Sequence, residues 1–424
     1  MARVGVFTIG CKVNQGESEE LKMCLAEAGH AISNDPGLAD LCVVNTCTVT
    51  AESDRKCRKL IRSLSKRGAN AIVVAGCYAQ VSAEELGRLP GVVAIIPNSE
   101  KDCWEQRIES LLHEADAGAQ PLSLSRTRAF IKVQDGCERE CSYCIVPTAR
   151  GDEWSRPIAE VLALANKWLD QGTRELVLCG INLGRYRPQA GFDLGCLVEE
   201  VLDIGGDFRI RISSIELEDM DMSWLQAWSV SEGRVCPHLH FPLQSGDAGI
   251  LADMGRGYNP GDFIEVCREA KAGWPGMTVT TEVIAGYPGE SEEAFHHTLD
   301  VLTEARPSRT HVFPFSKRPG TRASHKLECV PPGAIAERCG RLRSLAEEWR
   351  VAYAKERIGE SARLLIERIV EGEPRVALGT TEDYIKGSLI EPSNGARPGC
   401  IVVARITGVN DGSAVLEVDG HDGK

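Results

Sequence analysis

Three of the seventeen cysteines, Cys137, Cys141 and Cys144, fall in the order C-x3-C-x2-C inside AFIKVQDGCERECSYCIVPTARG. Three thiolates on one short loop can hold three corners of a cubane iron-sulfur cluster and leave its fourth iron without a protein ligand. An unfilled metal position implies chemistry, because it is where a substrate binds, as in catalytic zinc sites. The spacing differs from the paired C-x2-C of zinc knuckles and of thioredoxin-like dithiols. Free cysteine is a common core residue, but Asp135, Glu138, Arg139 and Glu140 flank this triplet and do not pattern as a core strand.

A second triplet depends on the elements that carry it. Apolar runs at Val4 to Ile9, Leu41 to Asn45, Ile72 to Ala75 and Val92 to Ile96 alternate with helical patterns near Glu17 to Ala28, Ser53 to Ser65 and Ser82 to Leu86. This rhythm predicts a small parallel sheet with helices on its faces, whose ligands gather beyond the carboxyl ends of the strands. Cys11 in TIGCKVNQ, Cys47 in NTCTVT and Cys77 in AGCYAQ follow the first three runs. Three thiolates at one sheet edge suit a second cluster with an open iron, or else three small residues at tight turns.

The chain has 424 residues, enough for two or three domains, with the 43% hydrophobic and 26% charged content of a soluble globular protein. No run approaches the roughly 18 to 20 uninterrupted apolar residues of a membrane span, and MARVGVFTIG leads into Cys11 and Lys12 with no cleavage region. The expectation is a cytoplasmic protein with no membrane partner, whose cysteines bind metal in a reducing compartment. A net charge of -13 argues against nucleic acid as partner unless the basic residues are gathered locally.

After a polar stretch at Ala115 to Arg128 come six β-like runs: Phe130 to Gln134, Glu175 to Cys179, Arg209 to Ile215, His238 to Phe241, Thr278 to Ile284 and His311 to Phe315. Helical lengths separate most of them, which predicts an open, partial (β/α)6 barrel with the chemistry at the strand carboxyl ends. A charged helix at Ala334 to Arg357 leads to ARLLIERIV, PRVALGT, YIKGSLI, CIVVARIT and AVLEVDG, expected as a small antiparallel barrel. From Ile358 onward seven Lys or Arg face eleven Asp or Glu, so this barrel reads as a nucleic-acid module or as a structural cap.

The motifs GCKVNQGESEE, NTCTVT, GCYAQ, DGCERECSYCIVPTARG, LCGINLGRY, RISSIE, HLHFPLQSGD, MGRGY, EVIAGYPGES and HVFPFSKRPGT, in this order, resemble the radical S-adenosylmethionine methylthiotransferase family. The resemblance implies an α/β chain of three parts: residues 1–115 with the auxiliary cluster, 125–355 as the radical barrel, and 358–420 similar to an RNA-binding TRAM barrel. GCKVNQ with NTCTVT is most similar to the branch that methylthiolates threonylcarbamoyladenosine beside the tRNA anticodon. Branches acting on isopentenyladenosine or a ribosomal-protein aspartate stay as alternatives, and so does a non-catalytic iron-sulfur RNA-binding protein.

Site roles follow from the same resemblance. Cys137, Cys141 and Cys144 would hold the catalytic [4Fe-4S] cluster that binds S-adenosylmethionine and releases a 5'-deoxyadenosyl radical. Cys11, Cys47 and Cys77 would hold a second [4Fe-4S] cluster, the carrier of sulfur. Tyr143, Gly180, Asn182, Ser214, Glu216, Gln244 and Ser245 are placed at the cofactor pocket, with strand-end caps and turns as the competing role for several of them. Arg150 and Arg256 are candidates for tRNA phosphate or for salt bridges. Glu282 stands where the family usually has Asp. The implied partners are tRNA and an electron-donor protein, and the protein is expected to act as a monomer.

Overall fold

Strands made of Val, Ile and Ala with few polar positions need cover on both faces, which favours a parallel sheet. The computed structural model describes residues 1–69, 71–112, 127–392 and 395–418. Its first sheet contains β1 (Arg3–Thr8), β2 (Ala31–Ser33), β3 (Leu41–Thr46), β4 (Ile72–Gly76) and β5 (Val92–Pro97), ordered β2-β1-β3-β4-β5 and parallel throughout. Val43 and Val73 face one apolar layer with Leu21, Leu25 and Ile108, while Cys42, Val44 and Val74 face the other with Cys57, Ile61 and Leu64. The helices are α1 (Lys12–Glu27) and α2 (Ala51–Lys66). Edge strand β2 is too short for its periodicity to register in the sequence, and the pattern at Ser82 to Leu86 resolves into short helices Cys77–Val81 and Ala83–Gly87.

The central part contains β6 (Ala129–Lys132), a two-stranded ribbon of β7 (Gln134–Asp135) and β8 (Trp154–Ser155), then β9 (Glu175–Cys179), β10 (Arg209–Ile212), β11 (His238–His240), β12 (Thr278–Ala285) and β13 (Arg309–Pro314). Parallel sheets β10-β9-β6 and β11-β12-β13 are joined by bridges Ile210 to Val235 and Ser214 to His240, giving a six-strand arc open between β6 and β13. Helix α1 packs along the arc, where Val13 shares an apolar cluster with Phe130, Val177 and Cys179. The polar stretch expected at Ala115 to Arg128 lies mostly outside the described residues.

After helix Pro332–Glu356 come β14 (Ser361–Val370), β15 (Val376–Thr380), β16 (Lys386–Ile390), β17 (Ile401–Asn410) and β18 (Ser413–Glu417), closed in the order β14-β15-β16-β18-β17. The expected antiparallel barrel has one parallel pairing, β16 with β18. A ring with an odd number of strands cannot alternate direction all the way round, so one parallel pair is obligatory.

The barrel is docked on the amino-terminal end of the arc by a charged cluster. Glu175 accepts from Arg209 Nε at 2.7 Å and from Arg211 Nε at 3.1 Å, and Arg128 Nε lies 3.3 Å from it. The two arginines then donate to barrel carbonyls: Arg209 to Arg363 and Thr380, Arg211 to Thr381 and Glu382. Burial alone would raise the Glu175 pKa, but Arg211, Arg209 and Arg128 pull it well below the ordinary carboxylate range. A depressed folded pKa gives stability that is present above the unfolded carboxylate pKa and lost as pH falls toward the folded value. Glu175→Gln is therefore expected to cost about 3–5 kcal/mol at neutral pH, as for breaking a buried ion pair. Chemical denaturation should show this gap to wild type narrowing as pH drops below about 4.3.

Candidate active site

The loop of Cys137, Cys141 and Cys144 runs between β7 and β8. Gly136, at its start, has φ +73, and a Cβ there would lie 1.8 Å from the Asp152 carbonyl oxygen, so only glycine can bring the two ends of the loop together. Cys137, Cys141 and Cys144 are all half-buried on this loop. Arg256 Nη1 donates to Cys141 Sγ at 3.5 Å, and the Val146 N–H donates to Cys144 Sγ at 3.4 Å. Burial pushes the Cys144 thiol up to about 12, with Cys141 and Cys137 adding to the shift, and it also raises Cys137, with Cys141 adding. An iron cluster supplies the positive charge that would turn such thiols into thiolates.

Cys11, Cys47 and Cys77 follow β1, β3 and β4 at one sheet edge. Cys11 caps α1 but makes no side-chain capping bond; its Sγ donates to Asn14 Oδ1 at 3.2 Å. A Cβ on Gly10 would stand 2.9 Å from Cys47 Cβ, which measures how closely the first two loops approach. Asn98 Nδ2 donates to Cys77 Sγ at 3.4 Å. Burial, with the charges of Cys77 and Cys11 adding to it, pushes Cys47 up to about 11. Among the described residues no three His, Cys, Asp or Glu side chains converge as ligands of a single ion. A cubane is wider, with one thiolate per corner iron, and both open triplets fit it in donor type and in the N–H groups aimed at sulfur.

A buried ion network joins the two triplets. Arg150, which follows the loop of residues 137–144, donates from Nη1 to Glu17 Oε1 at 3.0 Å and to Asp135 at 2.8 and 2.9 Å, and from Nη2 to Asn14 Oδ1 at 3.0 Å. Lys132 bridges the same two carboxylates at 3.1 and 3.0 Å, and Lys101 also pairs with Glu17. Burial would raise the Glu17 pKa, yet Arg150, Lys101 and Lys132 hold it well below the ordinary range. Arg318 adds a second tie, donating to Thr48 Oγ1 at 2.7 Å and Asp54 Oδ2 at 2.8 Å next to the Cys47 loop. Sequence reasoning missed this network. Its signal was there in α1, where Asn14, Glu17 and Ser18 are polar residues on a helix wedged between two sheets.

The expected pocket residues separate into groups. Asn182 is 2% exposed, and neither its side-chain oxygen nor its nitrogen has a partner among the described residues. Two orphaned polar atoms at a strand end are what a bound polar ligand would satisfy. Gln244, in the left-handed region at φ +64, donates from Nε2 to Glu282 Oε1 at 2.8 Å and leaves a buried Oε1 unpaired. Tyr143, Gln244, Glu282, Ile284, Phe313 and Phe315 line a cavity of 150 Å³ reached also by Val49 and Thr50 of the Cys47 loop. Gly180 lets Gln134 approach, since a Cβ there would meet its side chain at 2.9 Å. Ser245 Oγ accepts from the Asp247 N–H at 3.2 Å, a turn contact. Ser214 bridges to His240 between the two half-arcs. Glu216 is paired with Arg256, and Arg150 with Glu17 and Asp135. Both arginine side chains are 2% exposed, so they act as salt-bridge partners and do not face RNA phosphate.

Two family descriptions match the chain: "Uncharacterized protein family UPF0004" over residues 3–97 and "Radical SAM superfamily" over residues 131–302. Threonylcarbamoyladenosine tRNA methylthiotransferase MtaB of Thermotoga maritima is 36% identical over 409 residues, covering 92% of this chain and 92% of that protein. Its counterpart in Bacillus subtilis is 34% identical, covering 91% and 90%. The tRNA-2-methylthio-N(6)-dimethylallyladenosine synthase of Nocardia farcinica is 30% identical, covering 95% and 86%. Among solved structures, the radical S-adenosylmethionine methyltransferase TsrM from Kitasatospora setae shares the fold with TM-score 0.56 at 13% identity over 76% of this chain and 75% of its own.

Arg150 makes four charge-assisted contacts in one fork, a geometry lysine cannot reproduce. Arg150→Gln would leave two buried carboxylates under-compensated and is expected to cost about 3–5 kcal/mol. Differential scanning calorimetry and iron analysis should show a lowered Tm and reduced iron retention, with Arg150→Lys intermediate.

Proposed function

This chain belongs to the radical S-adenosylmethionine tRNA methylthiotransferases, and from that premise we propose that it places a methylthio group on C2 of N6-threonylcarbamoyladenosine in tRNA. The observation that carries the branch is the full-length match to threonylcarbamoyladenosine enzymes at higher identity than to the dimethylallyladenosine enzymes.

In this reading Cys137, Cys141 and Cys144 hold one [4Fe-4S] cluster and Cys11, Cys47 and Cys77 the other. Bound there, the first cluster would supply the electron for reductive cleavage of S-adenosylmethionine and so for radical chemistry at carbon, and the second would supply the sulfur. The protein's part is positional. Arg256 and the Val146 N–H donate to the sulfurs of Cys141 and Cys144, which would tune the potential of a cluster held there. Asn182 and Gln244 offer their unpaired polar atoms to S-adenosylmethionine. Tyr143, Ile284, Phe313 and Phe315 wall the cavity beside the loop of residues 137–144 and give the reacting carbon apolar surroundings. Arg150 and Glu17 hold the two cysteine edges toward that space.

An acidic chain needs a local basic face to approach RNA, and α2 has one. Lys59, Arg62 and Lys66 recur at near-helical spacing on its exposed side, with Arg55 and Lys56 one turn before them. The helix starts at the Cys47 loop, so phosphates tracking along it would lead a base toward the cavity. The reading also includes an electron-donor protein and a monomeric enzyme in the cytoplasm. Among the described residues no helix is long and apolar enough to cross a membrane.

Nucleoside mass spectrometry of tRNA from the host with and without this gene tests the proposal. The expected result is loss of the methylthio form of threonylcarbamoyladenosine with its precursor accumulating. Loss of methylthio-isopentenyladenosine alone would move the protein to the other tRNA branch, and an unchanged tRNA profile would refute tRNA as substrate.

A further inference from the structure

Lys12 adjoins Cys11 at the first turn of α1, and its half-buried side chain enters the interior of the six-strand arc. Its Nζ lies 5.7 Å from the centroid of the Tyr384 ring. The same ring has the Arg211 guanidinium at 5.0 Å and His238 stacked on it at 4.5 Å. Among the described residues no carboxylate forms an ion pair with Lys12. Besides the Tyr384 hydroxyl and the Cys179 thiol, the carboxylate whose charge bears on it is Glu175, which is already shared by Arg128, Arg209 and Arg211. Glu282, nearer the mouth, is engaged by Gln244 at 2.8 Å and lies 3.8 Å from His240.

The arc interior therefore carries more positive than negative charge. Burial pushes the His311 pKa down to about 4, with Arg309, His240 and Lys12 lowering it and Glu282 raising it. The interior wall of β11 and β12 is polar as well: His238 and His240 both share hydrogen bonds with Thr280 Oγ1 at 3.0 Å. An unpaired ammonium away from bulk water is costly, and a hydrocarbon group placed against it would increase the cost. An anionic group would complete the pair. A base whose C2 approaches the thiolate edge at Cys11 has its N6 substituent within one side chain's reach of the next residue.

We propose that the Lys12 ammonium binds the carboxylate of the threonylcarbamoyl group on N6 of the target adenosine, and so selects this anionic substituent over a hydrocarbon one. The inference rests on the function proposed above and assigns a residue that sets its specificity. A charge-assisted pair of this kind corresponds to a factor on the order of ten to a hundred in affinity.

The test uses protein with both clusters reconstituted and anticodon stem-loops carrying threonylcarbamoyladenosine as the free acid or as its carboxyl methyl ester. The acid-to-ester ratio is read in kcat/KM and, without reductant, in equilibrium binding by fluorescence anisotropy. This ratio does not depend on the fraction of protein holding clusters, so damage to the neighbouring Cys11 site would not mimic the effect. Wild type should prefer the acid by roughly ten- to a hundredfold. Lys12→Met should bring the ratio near one, and Lys12→Arg should retain part of it. A ratio unchanged in Lys12→Met, or a wild type indifferent to the ester, overturns the assignment of the lysine. A wild type that turns over neither stem-loop refutes instead the function on which the inference rests.

Discussion

The Arg150 guanidinium, set between Glu17 and Asp135, is the contact on which the site depends. Glu17 belongs to the helix that begins at Cys11, and Asp135 and Arg150 bracket the loop of Cys137, Cys141 and Cys144. One buried fork therefore fixes the distance between two sheet edges that share no strand. A buried ion pair is a poor source of net stability, because desolvation offsets much of the attraction. What it supplies is geometry: each of the four contacts is directional, and a slip of either sheet would leave a buried charge unpaired. Lys101, Lys132 and the Asn45 amide also donate to Glu17, which lets the carboxylate stay ionised inside the protein.

The same device recurs at the other end of the arc. Glu175 gathers Arg128, Arg209 and Arg211; Arg209 and Arg211 seat the carboxyl-terminal barrel through its backbone carbonyls, and Arg128 pairs with Glu367 of the barrel. The amino-terminal end of the arc is thus plugged by protein, and the open end, with the cysteine loop, faces the first sheet. Among the described residues a cavity confined between the Tyr143 loop, the Cys47 loop and the arc strands lies at that end. That confinement fits radical chemistry, in which a reactive carbon must meet its target before it meets solvent.

Much of this was legible in the sequence, and the limits were physical. The cysteines sit at strand ends because the α/β rhythm of the first hundred residues is strong, and each of the six central runs overlaps a strand of the arc. Alternation also exposed the five barrel strands, while the parallel β16–β18 pair followed from ring parity and had no sequence signal. The ion networks were hidden because a periodic pattern treats charge as solvent-facing. RIRI in β10 reads as a strand with one wet face, yet Arg209 and Arg211 are buried against Glu175. Asn182 and Gln244 could be placed near the pocket, but their unpaired atoms, which distinguish a ligand contact from a cap, exist only in three dimensions. Arg150 and Arg256, open to RNA on sequence grounds, are enclosed by their carboxylate partners.

The central claim is that two open cysteine triplets each carry a cubane and are held toward one space. Iron analysis with Mössbauer spectroscopy, after anaerobic reconstitution of wild type and of two variants with one triplet changed to alanine, tests it directly. The account predicts about eight irons in wild type as two [4Fe-4S] clusters and about four in either variant, with the remaining cluster's spectrum preserved. A single cluster in wild type, or iron that one triplet's removal leaves unchanged, would contradict it.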